Sequence, residues 1–316
     1  MNSIPVCFSC AGDPLIGMIH PAHGSPELGV LMMVAGGPQY RIGGHRQLVL
    51  WSRKISEHGY PVFRFDFRGM GDSYGQFRDF EDVEDDVHHA IDRFFVEVPS
   101  LKQVVLWGEC NASSAALFLA YKEPRIKGIV MLNPWVRTES GRATAVVKHY
   151  YLKRLTERSF WAKVIRFRFD VIGSVRSAAG MLKLAWQAPK QNGTRARDLT
   201  TTSPRDRQQS LPDRMLGGLS RFKGPVMLVM SGRDLISKEF DDLVKRSPSW
   251  QRELAAHHTV RHDLAFADHT FSTAVWRDQV VNWGIDWLLG ISKQGAPVLA
   301  VTLQRSRSTS SITEET

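Results

Sequence analysis

Cysteine is scarce in this chain of 316 residues, which has only Cys7, Cys10 and Cys110. So few cysteines exclude a scaffold held together by several disulfides and favour a reducing compartment. The spacing Cys7-x-x-Cys10 resembles half of a zinc or redox site, but it lies on a predicted first strand and no second pair of ligands follows it. We therefore expect no metal and no cofactor.

Long apolar runs are also missing from the sequence. It contains no run of membrane-spanning length and no apolar segment typical of a secretory signal. We therefore expect no transmembrane segment and a cytoplasmic location. Lys and Arg number 41 against 32 Asp and Glu, a formal net charge of +9, but no recognition motif accompanies that charge, so we expect no nucleic-acid partner.

Cys110 stands where an apolar run, residues 104–107, meets an alanine-rich run that begins at Ala112. This pattern predicts a strand, a tight turn and a helix, an arrangement that exposes a nucleophile at the edge of a sheet with helix N–H groups pointing at it. Gly108 fills the first small position of the turn, and Ala112 stands where glycine is usual. A free cysteine is also commonly a small buried apolar residue, so the turn by itself leaves that alternative open.

An acid and a histidine follow in the order nucleophile, acid, base. Residues 225–231 form an apolar run that predicts a buried strand, and Asp234 comes at its carboxyl end, where open α/β sheets gather their chemistry. His269 lies in a loop before a predicted amphipathic helix, so it is the candidate base and Asp234 the candidate acid. An aspartate in this position is also commonly a helix N-cap. Rival histidines lie in or beside the last predicted strand, and rival acids follow the wrong strand: His257, His258, His262, Asp263 and Asp268.

A further apolar run, residues 30–35, opens into the glycine-rich sequence GGPQYRIGGHR. Glycine lets the backbone approach a ligand closely, although any tight loop can have this composition. In a site of this kind one oxyanion donor is the N–H after the nucleophile, here Asn111, and the other comes from this loop, where Gly37 is the best candidate. We expect the side chains of Tyr40, His45 and Arg46 to bind substrate.

Four runs carry a resemblance to a known family: GGPQYRIGGHRQ from Gly36, GYPVFRFDFRGMGDS from Gly59, GECNASSAAL from Gly108 and ADHTFS from Ala267. Together they resemble the α/β-hydrolase superfamily and, more narrowly, the first of the hydrolase families associated with the bacterial exosortase A system, over residues 4–136 and 222–290. The resemblance implies a cysteine nucleophile at Cys110 and a cytoplasmic protein whose gene lies among those for exopolysaccharide and protein sorting. Dienelactone hydrolase is a more distant relative that shares Cys, Asp and His.

The fold class that we expect is α/β, an α/β-hydrolase fold with a mostly parallel, doubly wound sheet and a helical cap insertion. The core should comprise residues 1–136 and 222–292, and the cap residues 137–221, with a mobile segment at 191–212; a tail at 302–316 should be disordered.

The predicted cap is strongly basic, since residues 148–190 carry ten Lys and Arg against Glu157 and Asp170, a net charge of +8. This charge predicts either a solvated face over an ordinary lid or a surface for acidic partners. Such a partner would be an anionic lipid, which would place the chain at the periphery of the inner membrane, or an acyl carrier protein.

These patterns predict a hydrolase that cleaves an ester or thioester of a small-molecule acyl substrate through Cys110, His269 and Asp234 and an acyl-enzyme. Two alternatives stay open. The same acyl-enzyme could pass its acyl group to an acceptor other than water, as in an acyltransferase, or the chain could be a non-catalytic binding protein that keeps the fold.

Overall fold

The computed structural model describes residues 2–34, 40–136 and 209–293. Gly37, the basic segment 148–190, most of the segment 191–212 and the tail 302–316 lie outside the described residues. What the sequence predicts for them therefore stays a prediction.

Within the described ranges the strands form one sheet, and the elements below are numbered in chain order over those ranges. The strands are β1 (Ile4–Cys10), β2 (Asp13–His20), β3 (Leu28–Met33), β4 (Val62–Phe65), β5 (Gln103–Glu109), β6 (Ile126–Leu132), β7 (Val226–Ser231) and β8 (Val260–Leu264). Their order is β1-β2-β4-β3-β5-β6-β7-β8. The pairs β1–β2 and β2–β4 are antiparallel, and the later pairs are parallel.

Helices connect the parallel strands, because parallel strands need a crossover connection, which is usually helical. They are α1 (Gln47–Glu57), α2 (Glu84–Glu97), α3 (Asn111–Leu119), α4 (Leu211–Arg221), α5 (Leu235–Arg246), α6 (Pro248–Ala256) and α7 (Ala274–Lys293). Helix α1 packs against α7, and α3 packs against α4. The predicted α/β class with a mostly parallel sheet is confirmed. None of the helices in the described ranges is long and apolar enough to cross a bilayer.

The central strands are largely apolar because helices cover both faces of the sheet. Every residue of β3 and β7 is buried. On the α1 and α7 side, Trp107 of β5 packs against Trp51, with ring centroids 5.7 Å apart, and against the backbone of Gly284 in α7. A Cβ on Gly284 would lie 2.3 Å from Trp107 Cη2, so only glycine allows this approach.

Helix α4 lies within the stretch that the sequence assigns to the cap, yet it packs on the sheet-covering helix α3. The contact is close: a Cβ on Gly218 would lie 2.0 Å from the carbonyl oxygen of Leu117. This end of the predicted insertion is therefore packed as part of the layer that covers the sheet.

Candidate active site

The turn between β5 and α3 holds Cys110 in a conformation that few side chains adopt. Its backbone has φ 56° and ψ −126°, a strained geometry that in proteins concentrates at functional sites. Gly108 allows the strand and the helix to approach, because a Cβ there would lie 2.6 Å from the carbonyl carbon of Ala112. The backbone N–H of Cys110 donates to the Leu132 carbonyl at 2.8 Å, which fixes the turn against β6.

The side chains of Cys110, His269 and Asp234 come together at the carboxyl edge of the parallel strands. His269 Nδ1 lies 2.8 Å from Asp234 Oδ2, and the Cys110 side chain lies near enough to the His269 ring to act on its pKa. Asp234 is nearly buried, whereas His269 is about one-third exposed, with a side-chain exposure of 31%. The predicted nucleophile, base and acid are thus connected in one chain of contacts.

The electrostatics of the Cys110, His269 and Asp234 cluster favour the cationic form of His269. Burial by itself would lower the pKa of His269, but hydrogen bonds to Asp234 and Cys110 and the charges of both groups outweigh burial and raise that pKa to about 10. Burial by itself would raise the pKa of Asp234, and the hydrogen bond and charge of His269 hold it below its usual value. An imidazolium beside the sulfur stabilises a thiolate, which is the reactive form of cysteine.

Asp234 is both the partner of His269 and the N-cap of α5. Its carboxylate accepts the backbone N–H of Ile236 at 3.1 Å and of Ser237 at 3.0 Å. The capping role and the acid role, which the sequence left as alternatives, are therefore compatible, since the two oxygens together accept all of these contacts. The cap also fixes the orientation of the carboxylate toward the imidazole.

A second glycine brings the acid and the histidine loop together. A Cβ on Gly232 would lie 2.2 Å from the Ala265 carbonyl oxygen, and the N–H of Arg233 donates to the Ala267 carbonyl at 3.0 Å. The turn after β7 and the loop after β8 are therefore in direct contact, although they are far apart in the sequence.

Asn133, which the sequence analysis did not single out, ties the same elements together. It is fully buried, directly after β6. Its Nδ2 donates to the His269 carbonyl at 2.7 Å and to Ser231 Oγ at 2.9 Å, and its Oδ1 accepts from the Ser231 N–H at 2.8 Å and from Ser237 Oγ at 2.5 Å. Its position at the carboxyl end of an apolar strand is the signal that could have identified it.

The rival histidines are held elsewhere. Both ring nitrogens of the buried His257 face backbone carbonyl oxygens, at 2.9 and 2.8 Å. The ring of His262 stacks on Trp283 with centroids 4.2 Å apart, and His258 is exposed after α6. In the part of the chain that the structure describes, none of these three histidines is hydrogen-bonded to Asp234.

The rival acids also have other partners. Asp263 accepts hydrogen bonds from Arg261 on the edge strand β8. Asp268 accepts the backbone N–H of Ser272 at 3.0 Å and so shapes the loop that carries His269.

The loop between β3 and α1 is fastened beside this site from Tyr40 onward. Arg41 donates its backbone N–H to Asp66 Oδ1 at 2.5 Å, and its guanidinium lies 2.8 Å from Asp72 Oδ2. The Tyr40 hydroxyl also donates to Asp72. The loop is therefore anchored to the turn after β4, and the hydroxyl of Tyr40 has an internal partner.

His45 and Arg46 are exposed and both have positive φ, 51° and 60°. A Cβ on the neighbouring Gly44 would lie 3.8 Å from the Thr270 methyl group, so this turn reaches the loop that carries His269. Asn111 begins α3 directly after Cys110. The substrate-binding and oxyanion roles assigned to these residues stay predictions.

In the ranges that the structure describes, no cluster of three or more His, Cys, Asp or Glu side chains could hold a metal ion.

A mostly parallel sheet with helices on both faces, a tight turn that carries a cysteine after its fifth strand, and an aspartate and a histidine after later strands are typical of an α/β hydrolase. The model of the family described as serine aminopeptidase, S33, matches residues 50–268, and the chain belongs to that family of hydrolases. The family description names a serine, whereas this chain has Cys110 at the turn.

Solved structures of α/β hydrolases are similar to the whole described fold. An esterase of Pyrococcus furiosus has 15% identity and a TM-score of 0.59, with 92% of this chain and 91% of that chain covered. The α/β hydrolase GrgF from a Penicillium species has 19% identity and a TM-score of 0.56, covering 93% and 99%. Est1E from Butyrivibrio proteoclasticus, solved with ferulic acid bound, has 14% identity and a TM-score of 0.56, covering 91% and 99%. No curated protein sequence matches at a significant level.

Proposed function

We propose that this chain hydrolyses an ester or thioester through a covalent acyl-enzyme on Cys110. The observation that carries the proposal is the contact chain from Cys110 to His269 to Asp234, with Cys110 on a strained turn at the head of α3. A nucleophile in contact with a base that a third group orients is the arrangement that acyl transfer requires.

In the first half of the reaction His269 holds the proton of the Cys110 thiol, and the thiolate attacks the acyl carbonyl carbon. The carbonyl electron pair moves to oxygen, where the N–H groups of Asn111 and Gly37 stabilise it, each by about 3 kcal/mol. The intermediate collapses to a thioester on Cys110, and the leaving alcohol or thiol takes the proton from His269. In the second half water attacks the thioester, His269 accepts a water proton, and the Cys110 thiolate leaves as the carboxylic acid is released.

The neighbouring serines are poor alternatives to Cys110. Ser113 is fully buried, and its hydroxyl lies 2.7 Å from the Gly108 carbonyl and 3.2 Å from the Leu132 carbonyl. Ser114 donates to the Trp135 carbonyl at 2.5 Å. Both hydroxyls are engaged with the backbone, which supports the cysteine as the nucleophile.

The resemblance to hydrolases of the exosortase A system supports a place for this reaction in bacterial exopolysaccharide production or protein sorting, in the cytoplasm. The +8 charge of residues 148–190 supports an acidic partner, an anionic lipid or an acyl carrier protein. Binding to either should weaken as salt rises, because exposed charges are screened beyond about 10 Å at 0.1 M salt. Salt-independent binding would argue against this role for the segment.

The test uses the intact chain, a panel of activated esters and intact-mass detection. The native chain should gain one acyl group on Cys110, and Cys110→Ala should abolish both the adduct and turnover. Cys7→Ala, which alters an exposed cysteine on the edge strand β1, is the matched control and should leave both unchanged. Full turnover by Cys110→Ala would refute the proposal, and product formed only with an added acceptor would identify an acyltransferase.

Limited iodoacetamide labelling gives a second measurement. Cys110 should react first, because a cationic imidazole next to a cysteine generally favours the reactive thiolate. Cys10 should react last, since burial and the charge of Asp86 raise its pKa to about 12.

A further inference from the structure

The residue before the nucleophile, Glu109, is a buried carboxyl group with an incomplete set of partners. It ends β5, two residues after Trp107, so the two side chains lie on the same face of the sheet, toward α1 and α7. Gln47, the first residue of α1, donates its Nε2 to Glu109 Oε2. The other two oxygens of this pair, Glu109 Oε1 and Gln47 Oε1, are buried and have no donor among the described residues.

A proton on Glu109 resolves both unpaired oxygens. Two buried acceptors without a donor are costly, whereas a protonated carboxyl can donate from one oxygen while the other still accepts from the amide. Within the Glu109 and Gln47 pair, Gln47 Oε1 is the acceptor available to that proton. Burial, which dominates here, raises the pKa of Glu109 to about 7.

The charges that act on Glu109 belong to the candidate active site. His269 favours its charged form, while Asp234 and Asp268 oppose it. On the remaining side, Gln47 of α1 is neutral, and Glu109 is the only ionisable residue of β5. The interaction is reciprocal, so a charged Glu109 must in turn stabilise the imidazolium form of His269.

We propose that Glu109, paired with Gln47, is a positioning residue that determines when His269 can act as a base: uncharged Glu109 lets His269 release its proton, and charged Glu109 retains the imidazolium. This inference deepens the proposed function and rests on it. Its effect falls on deacylation, because in that step the thiolate is absent and His269 must be neutral to accept a proton from water. The acylation step starts from the thiolate and imidazolium pair and is affected less.

The test measures the burst of acylation and the later deacylation of a nitrophenyl ester across pH, in the native chain and in Glu109→Gln. Glutamine has the shape of the protonated acid and can still donate to Gln47 Oε1. Removing a nearby negative charge lowers the pKa of a histidine. The deacylation midpoint of Glu109→Gln should therefore fall by up to about one pH unit, and above pH about 7, where native Glu109 is charged, the variant should deacylate up to about tenfold faster than the native chain until both rates reach their plateau.

A purely structural role for Glu109 predicts a different result, a uniform loss of rate at every pH, and that result would overturn the proposal. An unchanged profile would overturn it as well. Glu123→Gln is the matched control, since Glu123 is another buried glutamate but lies before β6, paired with Arg125 at the opposite edge of the sheet. It should leave the deacylation midpoint in place.

Infrared difference spectroscopy tests the protonation of Glu109 without any turnover. The native chain should show the carbonyl stretch of a neutral carboxylic acid that disappears as pH rises through about 7, and Glu109→Gln should lack it. If Glu109→Gln does not fold, Gln47→Leu serves instead: it removes the amide that favours the charged form, so the same signal should persist to higher pH. If no acyl-enzyme forms on Cys110, the proposed function is wrong, but the infrared signal of neutral Glu109 is still expected. The failure of the proposed function and the failure of this inference are therefore distinguishable.

Discussion

Replacing Asn133 by alanine should destabilise the chain and slow catalysis, because this side chain connects β6, β7, α5 and the His269 loop. The consequences for its partners differ. Ser231 N–H retains a second acceptor, Ser237 Oγ at 3.3 Å, and Ser237 Oγ can still donate to Asp234 Oδ2 at 3.1 Å. The His269 carbonyl loses the 2.7 Å bond from Asn133.

The expected loss follows from these partners. Leaving a buried acceptor without its donor costs about 1–3 kcal/mol, and weakening the remaining contacts adds about 1 kcal/mol. We therefore expect Asn133→Ala to lower the free energy of unfolding by about 3 kcal/mol. A displaced His269 should also lower kcat/KM by about tenfold to a hundredfold, since small misplacements of a catalytic base cost rates of that order.

Chemical denaturation and ester hydrolysis measure the two effects on the same preparation. Ser52→Ala is the control: Ser52 is equally buried, and its hydroxyl donates to the Leu48 carbonyl within α1, away from His269. It should cost about 1 kcal/mol and leave kcat/KM unchanged. If Asn133→Ala matches the native chain in both assays, the network around Asn133 does not hold the histidine loop.

The remaining predictions concern pH, the acid and the packing of α7. Burial raises the folded-state pKa of Glu109 from 4.5 to about 7. The stability that its neutral carboxyl contributes is complete below the unfolded-state pKa of 4.5 and is lost as pH rises through the folded-state value of about 7. Glu109→Gln should avoid this loss of about 3 kcal/mol, which denaturation at each pH measures. Asp234→Asn should lower kcat by about a hundredfold, whereas Asp263→Asn should leave it unchanged; equal effects would mean that the acid is misassigned. Gly284→Ala should cost about 2 kcal/mol, since its Cβ would meet a buried indole at 2.3 Å, and Gly290→Ala in the same helix, which meets nothing within 4 Å, should stabilise by about 0.5 kcal/mol.

The sheet could be predicted from the sequence because its central strands are continuous apolar runs. Residues 225–231 predicted β7, observed as Val226–Ser231, and residues 104–107 lie within β5. Such runs report that a segment is buried on both faces, which is a local property. The order of Cys110, Asp234 and His269 along the chain likewise placed each of them at the end of an element.

Only the tertiary structure decided which side chains touch. His269 reaches Asp234 because Gly232 lets the turn after β7 approach the loop after β8, and no periodicity in either segment encodes that approach. The roles of Asn133 and of the Glu109 and Gln47 pair depend on neighbours far away in the sequence. Apolar pattern fixes whether a segment is buried, but a hydrogen bond between segments needs positions accurate to a few tenths of an ångström, and those arise when all the elements pack together.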